Sequence, residues 1–250
     1  MRSHYFRNDG PVRFLASVTS LAEARIAVAS RADIIDAKNP ATGALGALPF
    51  DIVHDIRRGL PSETLVSATI GDLPCNPSEV AEAARVMAAT GIDYVKIGFF
   101  PGGDPMSTIA ELGRCPLGNA RIVGLLLADA SPDLSLIPAM ARAQFAGVML
   151  DTSNKAAGRL TEVLPAATLA RFVQEAAGNG LFSGLAGSLR VCDVAALMRL
   201  KPNVLGFRGA LCAAGERTGG LTREATMAVR MEIDRWATKT EPRPRTSAAE

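Results

Sequence analysis

The chain has 250 residues, 48% of them apolar and 21% charged, the balance of an ordinary soluble globular protein, which excludes global disorder. Its 27 basic and 25 acidic residues leave a net charge of +2, so the charge gives no reason to expect a nucleic-acid partner or a membrane surface. No apolar run approaches the ~18 residues that span a bilayer, and Met1 to Gly10 contains no apolar signal core, which makes the cytoplasm the expected location.

Along the chain, strands and helices alternate. Val12–Val18 reads as a strand and Leu21–Ser30 as a helix capped by Thr19 or Ser20. Ile34–Lys38 is the second strand, followed by the loop Asn39–Gly46 and a helix over about Phe50–Arg58. Leu65–Ile70 is the third, with a helix over about Pro77–Ala89; Asp93–Gly98 is the fourth, with a helix after Asp104. Arg121–Leu127 is the fifth, with a helix over about Leu136–Gln144; Gly147–Asp151 is the sixth, with a helix over about Ala166–Ala177. Leu181–Ala186 and Val204–Phe207 are the seventh and eighth, with helices over about Val191–Leu200 and Arg223–Trp236. Eight evenly spaced βα units in a chain of this length imply a single (β/α)8 barrel, and the missing GxGxxG turn argues against a Rossmann sheet. The domain reading is an N-terminal arm over 1–11, the barrel over 12–237, and a Pro-rich, polar, disordered tail over 238–250.

Two counts narrow the chemistry. Cys75, Cys115, Cys192 and Cys212 lie far apart without ligand spacing and read as buried thiols in a reducing compartment. His4 and His54 do not sit where a site is expected, so neither a zinc centre nor a Ser-His-Asp triad is indicated. Catalysis then falls to Lys, Asp, Glu, Arg or backbone amides.

Parallel barrel strands are buried on both faces and should be continuously apolar, so charges within them are informative. Asp36 and Lys38 end the second strand two residues apart and therefore point the same way; Lys96 ends the fourth and Asp151 the sixth, with Lys155 four residues on. Asp129 follows the fifth strand and Arg208 the eighth. All lie at the C-terminal ends, where barrel active sites sit. The bland alternative is a set of mouth ion pairs; the functional one is that two neighbouring ammonium groups repel, favouring a neutral, nucleophilic amine for Schiff-base chemistry. The turns after strands seven and eight, Gly184–Ser188 and Phe207–Cys212, read as a phosphate site in which Gly187 and Gly209 allow close approach, Ser188 donates its hydroxyl and Arg208 adds charge. Glycine is common at any strand–helix turn, and the position after the last two strands is what favours phosphate. The loop Asn39–Gly46 is either a cover over Lys38 or a simple turn.

These segments also carry a resemblance. Ala32-Asp-Ile-Ile-Asp-Ala-Lys-Asn-Pro40 with Gly43-Ala-Leu-Gly46, Leu65–Asp72, Asp93-Tyr-Val-Lys-Ile-Gly98, Met149–Thr152, Leu185–Ser188 and Gly206–Ala210 resemble the (5-formylfuran-3-yl)methyl phosphate synthases of methanofuran biosynthesis, over about Phe14 to Arg230. These are also called 4-(hydroxymethyl)-2-furancarboxaldehyde-phosphate synthases. The resemblance implies a carbon–oxygen lyase that condenses two glyceraldehyde 3-phosphates into a furan aldehyde phosphate with loss of phosphate and water. It maps the Schiff-base lysine to Lys38, the proton-transfer lysine to Lys96, the motif acids to Asp36 and Asp151, and a further lysine to Lys155. The source it implies is a methylotroph or methanogen making a methanofuran-type carrier of C1 units. The sequence departs from the family's more polar segment after strand five with Gly124-Leu-Leu-Leu-Ala-Asp129, so Asp129 is left without a firm role. Because aromatisation favours the final eliminations, no redox cofactor is expected, and with two poorly placed histidines no metal is expected either. A class I aldolase of deoxyribose-phosphate type, a phosphate-binding isomerase or decarboxylase, and a non-catalytic scaffold remain alternatives. Oligomeric state, a homo-oligomer included, is left open.

Overall fold

Strands that are apolar on both faces place one face against helices and the other in a shared interior, and closure removes every sheet edge. In the computed structural model, which describes residues 10–154 and 157–240, the strands are β1 (Arg13–Val18), β2 (Ile34–Ala37), β3 (Leu65–Thr69), β4 (Tyr94–Phe99), β5 (Arg121–Leu127), β6 (Gly147–Asp151), β7 (Phe182–Leu185) and β8 (Val204–Phe207). They form one closed parallel barrel in sequence order, with β8 returning to β1 through Arg13↔Val204 to Ala16↔Phe207.

The helices are α1 (Leu21–Ala29), α2 (Phe50–Arg58), α3 (Pro77–Ala88), α4 (Pro105–Arg114), α5 (Ile137–Arg142), α6 (Leu160–Val163), α7 (Ala166–Gly178), α8 (Val194–Met198) and α9 (Arg223–Thr240). Ser20 caps α1 by accepting from Glu23 N, and Asp104 caps α4 by accepting from Ser107 N. α6 is an insertion that the periodicity does not announce. α9 runs through Thr240, past the boundary expected at 237; residues 1–9, with His4, and the tail from 241 lie outside the described residues. No helix among the described residues is long and apolar enough to cross a membrane.

Two apolar layers result. Phe14, Ala16, Ile35, Val66, Val95, Ile97, Val148 and Leu205 pack outward under the helices, while Leu15, Ile34, Leu65, Tyr94, Val123, Met149, Phe182 and Val204 fill the barrel. Inside, Tyr94 meets Phe182 edge to face at 5.9 Å, and burial pushes its phenol up to about 12, so it remains neutral. At the N-terminal end Asp33 accepts from Phe14 N and Asp93 from Val66 N, each tying its strand to a neighbour. Towards the C-terminal end the inward positions turn polar: Ser17, Asp36 and Ser67 stand in register, and Thr69 pairs with Lys96. The fold thereby delivers the charged residues to one mouth.

Candidate active site

Asp36, the third residue of β2, is fully buried beneath the mouth. Its Oδ2 accepts from Ser17 Oγ at 2.9 Å and Lys96 Nζ at 2.9 Å, and its Oδ1 from Ser67 Oγ at 2.7 Å. Burial alone would push this carboxyl up; the charges of Lys96 and Lys38, with hydrogen bonds from Lys96 and Ser67, outweigh it and hold the carboxyl below the usual range. Lys38 lies just past β2, where its N–H still bonds Val18 O at 3.0 Å. Its Nζ crosses the mouth to Asp151 Oδ2 at 3.0 Å, while Asp151 Oδ1 accepts from Thr152 N at 2.8 Å. The two lysines therefore do not simply face each other: each is bonded to a carboxylate within direct proton-transfer distance.

Lys38, Lys96, Asp151 and Ser17 line a cavity of about 690 Å³. The turn after β7 and the loop after β8 line it as well, so Gly187, Ser188, Arg208 and Gly209 border the same space. Gly187 (φ +114°) and Ser188 (φ +51°) are both left-handed, and a Cβ on Gly187 would stand 2.9 Å from Thr152 Cγ2. Among the described residues, the N–H groups of Gly187, Ser188, Gly209 and Ala210 donate no loop hydrogen bond. Such turns form concave anion sites.

The charge expected from Arg208 is the point that the geometry revises. Its Nε donates to Arg217 O, Nη1 to Ser17 O and Glu23 Oε2, and Nη2 to Glu23 Oε1 and Gly219 O. All five guanidinium N–H groups are thus occupied, and Arg208 acts as a clamp that fastens the loop after β8 to β1 and α1. Glu23 completes the clamp by also accepting from Thr19 N and Leu221 N. Burial would raise its carboxyl, but hydrogen bonds from Arg208 and Thr19 N and the Arg208 charge hold it low. Glu23→Gln leaves the nearly buried guanidinium without its counter-charge and should cost about 3 kcal/mol of stability, read as a lower denaturant midpoint. An unchanged midpoint would show that the loop is held by its carbonyl contacts alone.

Other residues settle into supporting places. Asp129 accepts from Ser153 N, Ser153 Oγ and Asn154 N, so it shapes the segment after β6. Lys155, which follows, lies outside the described residues. The loop Asn39–Gly46 is anchored as part of the wall: Asp72 accepts from Ala44 N and Leu45 N, Gly46 O accepts from Asn39 N and Thr69 Oγ1, and Leu45 is buried. Gly43 (φ +102°) touches the Asp72 carboxylate where a Cβ would stand, which leaves room only for glycine. Of the four expected buried thiols, Cys75 and Cys212 are buried, Cys115 is half-buried, and Cys192 is exposed at the cavity rim. His54 stacks on Phe50 along α2, away from the mouth, and no His, Cys, Asp and Glu cluster among the described residues could hold a metal. Sequence reasoning missed Arg217, which borders the cavity; its signal is a lone arginine in the glycine-rich run Gly215-Glu-Arg-Thr-Gly-Gly220.

Comparison with known proteins adds to this geometry. Residues 14–230 match the family described as 4-HFC-P synthase. A Methylorubrum extorquens protein provisionally named a (5-formylfuran-3-yl)methyl phosphate synthase is 41% identical over 84% of this chain and 86% of its own. The (5-formylfuran-3-yl)methyl phosphate synthase of Methanococcus aeolicus is 36% identical over 82% and 92%, and that of Methanopyrus kandleri 35% over 84% and 94%. Among solved structures, the chain superposes on phosphoribosyl anthranilate isomerase of Thermus thermophilus with a TM-score of 0.64 at 16% identity, covering 90% of this chain and 99% of that one. A 3-keto-L-gulonate-6-phosphate decarboxylase from Vibrio cholerae gives 0.64 at 15%, covering 91% and 99%. At those identities the structures speak to the barrel alone.

Proposed function

Since the chain belongs to the 4-HFC-P synthase family, we propose that it condenses two molecules of glyceraldehyde 3-phosphate into (5-formylfuran-3-yl)methyl phosphate, with release of phosphate and water, through a Schiff base on Lys38. The observation that carries this reading is the convergence of Lys38 and Lys96, each bonded to a carboxylate (Asp151 and the buried Asp36), on one cavity.

In the proposed route Asp151 takes a proton from Lys38 Nζ, and the freed amine attacks the carbonyl carbon of the first triose phosphate. The carbinolamine hydroxyl leaves as water, taking its proton back from Asp151, and the iminium forms. The iminium withdraws electrons from the adjacent C–H, whose proton passes to Lys96 once Lys96 has handed its own to Asp36 or to solvent. The enamine carbon bonds to the aldehyde carbon of the second molecule. Ring closure and elimination of phosphate and water produce the aromatic furan, and water then hydrolyses the imine to release the aldehyde and return Lys38 as the free amine, with no net oxidation. Ser17 and Ser67 hold Asp36 in place, and the amides of Gly187, Ser188 and Gly209 receive substrate phosphate. In this role the chain works in the cytoplasm as a lyase of methanofuran biosynthesis, and the route draws on no metal or redox cofactor.

Incubation with glyceraldehyde 3-phosphate should yield a product with the mass of the furan phosphate and an equivalent of inorganic phosphate, unaffected by prior exhaustive EDTA treatment. Condensation without phosphate release would point to an aldolase instead. Loss of activity restored by zinc or magnesium would contradict the lysine-only route.

A further inference from the structure

Five cationic residues border the cavity: Lys38, Lys96, Arg190, Arg208 and Arg217. Both lysines are bonded to carboxylates, Arg208 has no N–H left to give, and Arg190 is exposed at the rim. Arg217 differs. It is half-buried, its guanidinium makes a single hydrogen bond, from Nη2 to Gly43 O at 3.3 Å, and it forms no ion pair among the described residues. A guanidinium drawn partly out of water with four N–H groups unmatched is an incomplete site, and its planar fork fits a phosphate oxygen pair. Burial is the strongest influence on its charge and works against it, while Asp151 and Asp72 favour it and Arg208 disfavours it, so an anion there would add what burial takes away.

Its position identifies the anion's other contacts. Arg217 packs against the turn after β8: a Cβ on Gly209 would stand 3.8 Å from Arg217 Cβ. The N–H groups of Gly209 and Ala210 donate no loop hydrogen bond, and Arg208 Nε fixes the Arg217 carbonyl at 2.8 Å. We infer that Arg217, held in place by the Arg208 clamp, is the residue that supplies the positive charge for a substrate phosphate seated on the Gly209 turn. The inference rests on the proposed triose phosphate chemistry for the identity of the phosphate, and on the geometry for the anion site. The neighbouring Asp72 is engaged by Ala44 N and Leu45 N, and Asp151 by Lys38, which softens their repulsion of the anion.

The test measures binding of inorganic phosphate and of glycerol 3-phosphate by calorimetry, beside steady-state kinetics with glyceraldehyde 3-phosphate, for the full chain and for Arg217→Ala and Arg217→Lys. Arg217→Ala should weaken phosphate binding about tenfold or more and raise KM by a similar factor, with a smaller effect on kcat. Arg217→Lys should recover part of the loss, since it restores a point charge without the fork. Borohydride trapping of unphosphorylated glyceraldehyde on Lys38 should stay the same in Arg217→Ala, which separates a lost phosphate contact from a misfolded mouth. Wild-type phosphate affinity in Arg217→Ala, or no phosphate binding by the unaltered chain, overturns the inference. If the unaltered chain binds phosphate but makes no furan, and Arg217→Ala loses that binding, the anion site stands and the proposed reaction falls.

Discussion

Lys38→Arg is expected to abolish furan formation, with a loss of ~10³-fold or more in kcat. Arginine is the sharp substitution because it keeps a cation and N–H donors opposite Asp151, so the mouth retains its electrostatic balance. What it removes is the ability to become a neutral amine, since a guanidinium stays protonated in proteins. Lys38→Ala would be ambiguous, because the Asp151 carboxylate, nearly buried, would lose the partner 3.0 Å away. Sodium borohydride added during turnover should fix a triose-phosphate mass on the peptide that contains Lys38, and nothing on that peptide in Lys38→Arg. A label on Lys96 or Lys155 in the unaltered chain would transfer the Schiff base to that residue and leave Lys38 as a positioning group.

Asp36→Asn should have the largest effect on stability of any single change at the mouth, about 3–5 kcal/mol, because it strips the counter-charge from a lysine that is itself almost fully buried. It should also cripple turnover, since Lys96 loses both its anchor and its proton acceptor. The pH dependence gives an independent reading. The folded-state carboxyl of Asp36 titrates below its unfolded value, so its contribution is fully present above the unfolded range and lost as pH falls through the folded one. Denaturant midpoints of the unaltered chain and of Asp36→Asn should therefore differ widely at pH 7 and converge as pH drops below about 4, the unfolded value for aspartate. A gap that stays constant on acidification would mean that the cost comes from packing rather than from charge.

Much of the site could be read without the fold. Asp36, Lys96 and Asp151 interrupt strands that are otherwise apolar, and a charge in such a position has few places to go except the C-terminal mouth. The pairing was not readable. Asp36 and Lys38 sit two residues apart and invite the reading of a local pair, yet Lys38 bonds Asp151, 113 residues away on β6, and Asp36 bonds Lys96 on β4. Strand periodicity tells which face a side chain takes; only closure sets β2 across the barrel from β6, so only closure decides which charge each lysine meets.

Arg208 marks the same divide. Its place after the eighth strand is a local fact and made it a natural phosphate ligand, but its partners are Glu23, 185 residues earlier, and the carbonyls of Ser17, Arg217 and Gly219. A guanidinium with five donors goes to whichever acceptors the assembled loops place around it, and those positions exist only after β8 has closed against β1. The alternating strands, the eight repeats and the charges at the strand ends were determined by short-range chemistry, where side-chain direction depends on the next one or two residues. Which acid holds which lysine, that Arg208 braces the loop, and that Arg217 borders the cavity with one hydrogen bond to Gly43 O were decided by contacts between elements far apart in the chain, brought together by burial of the two apolar layers.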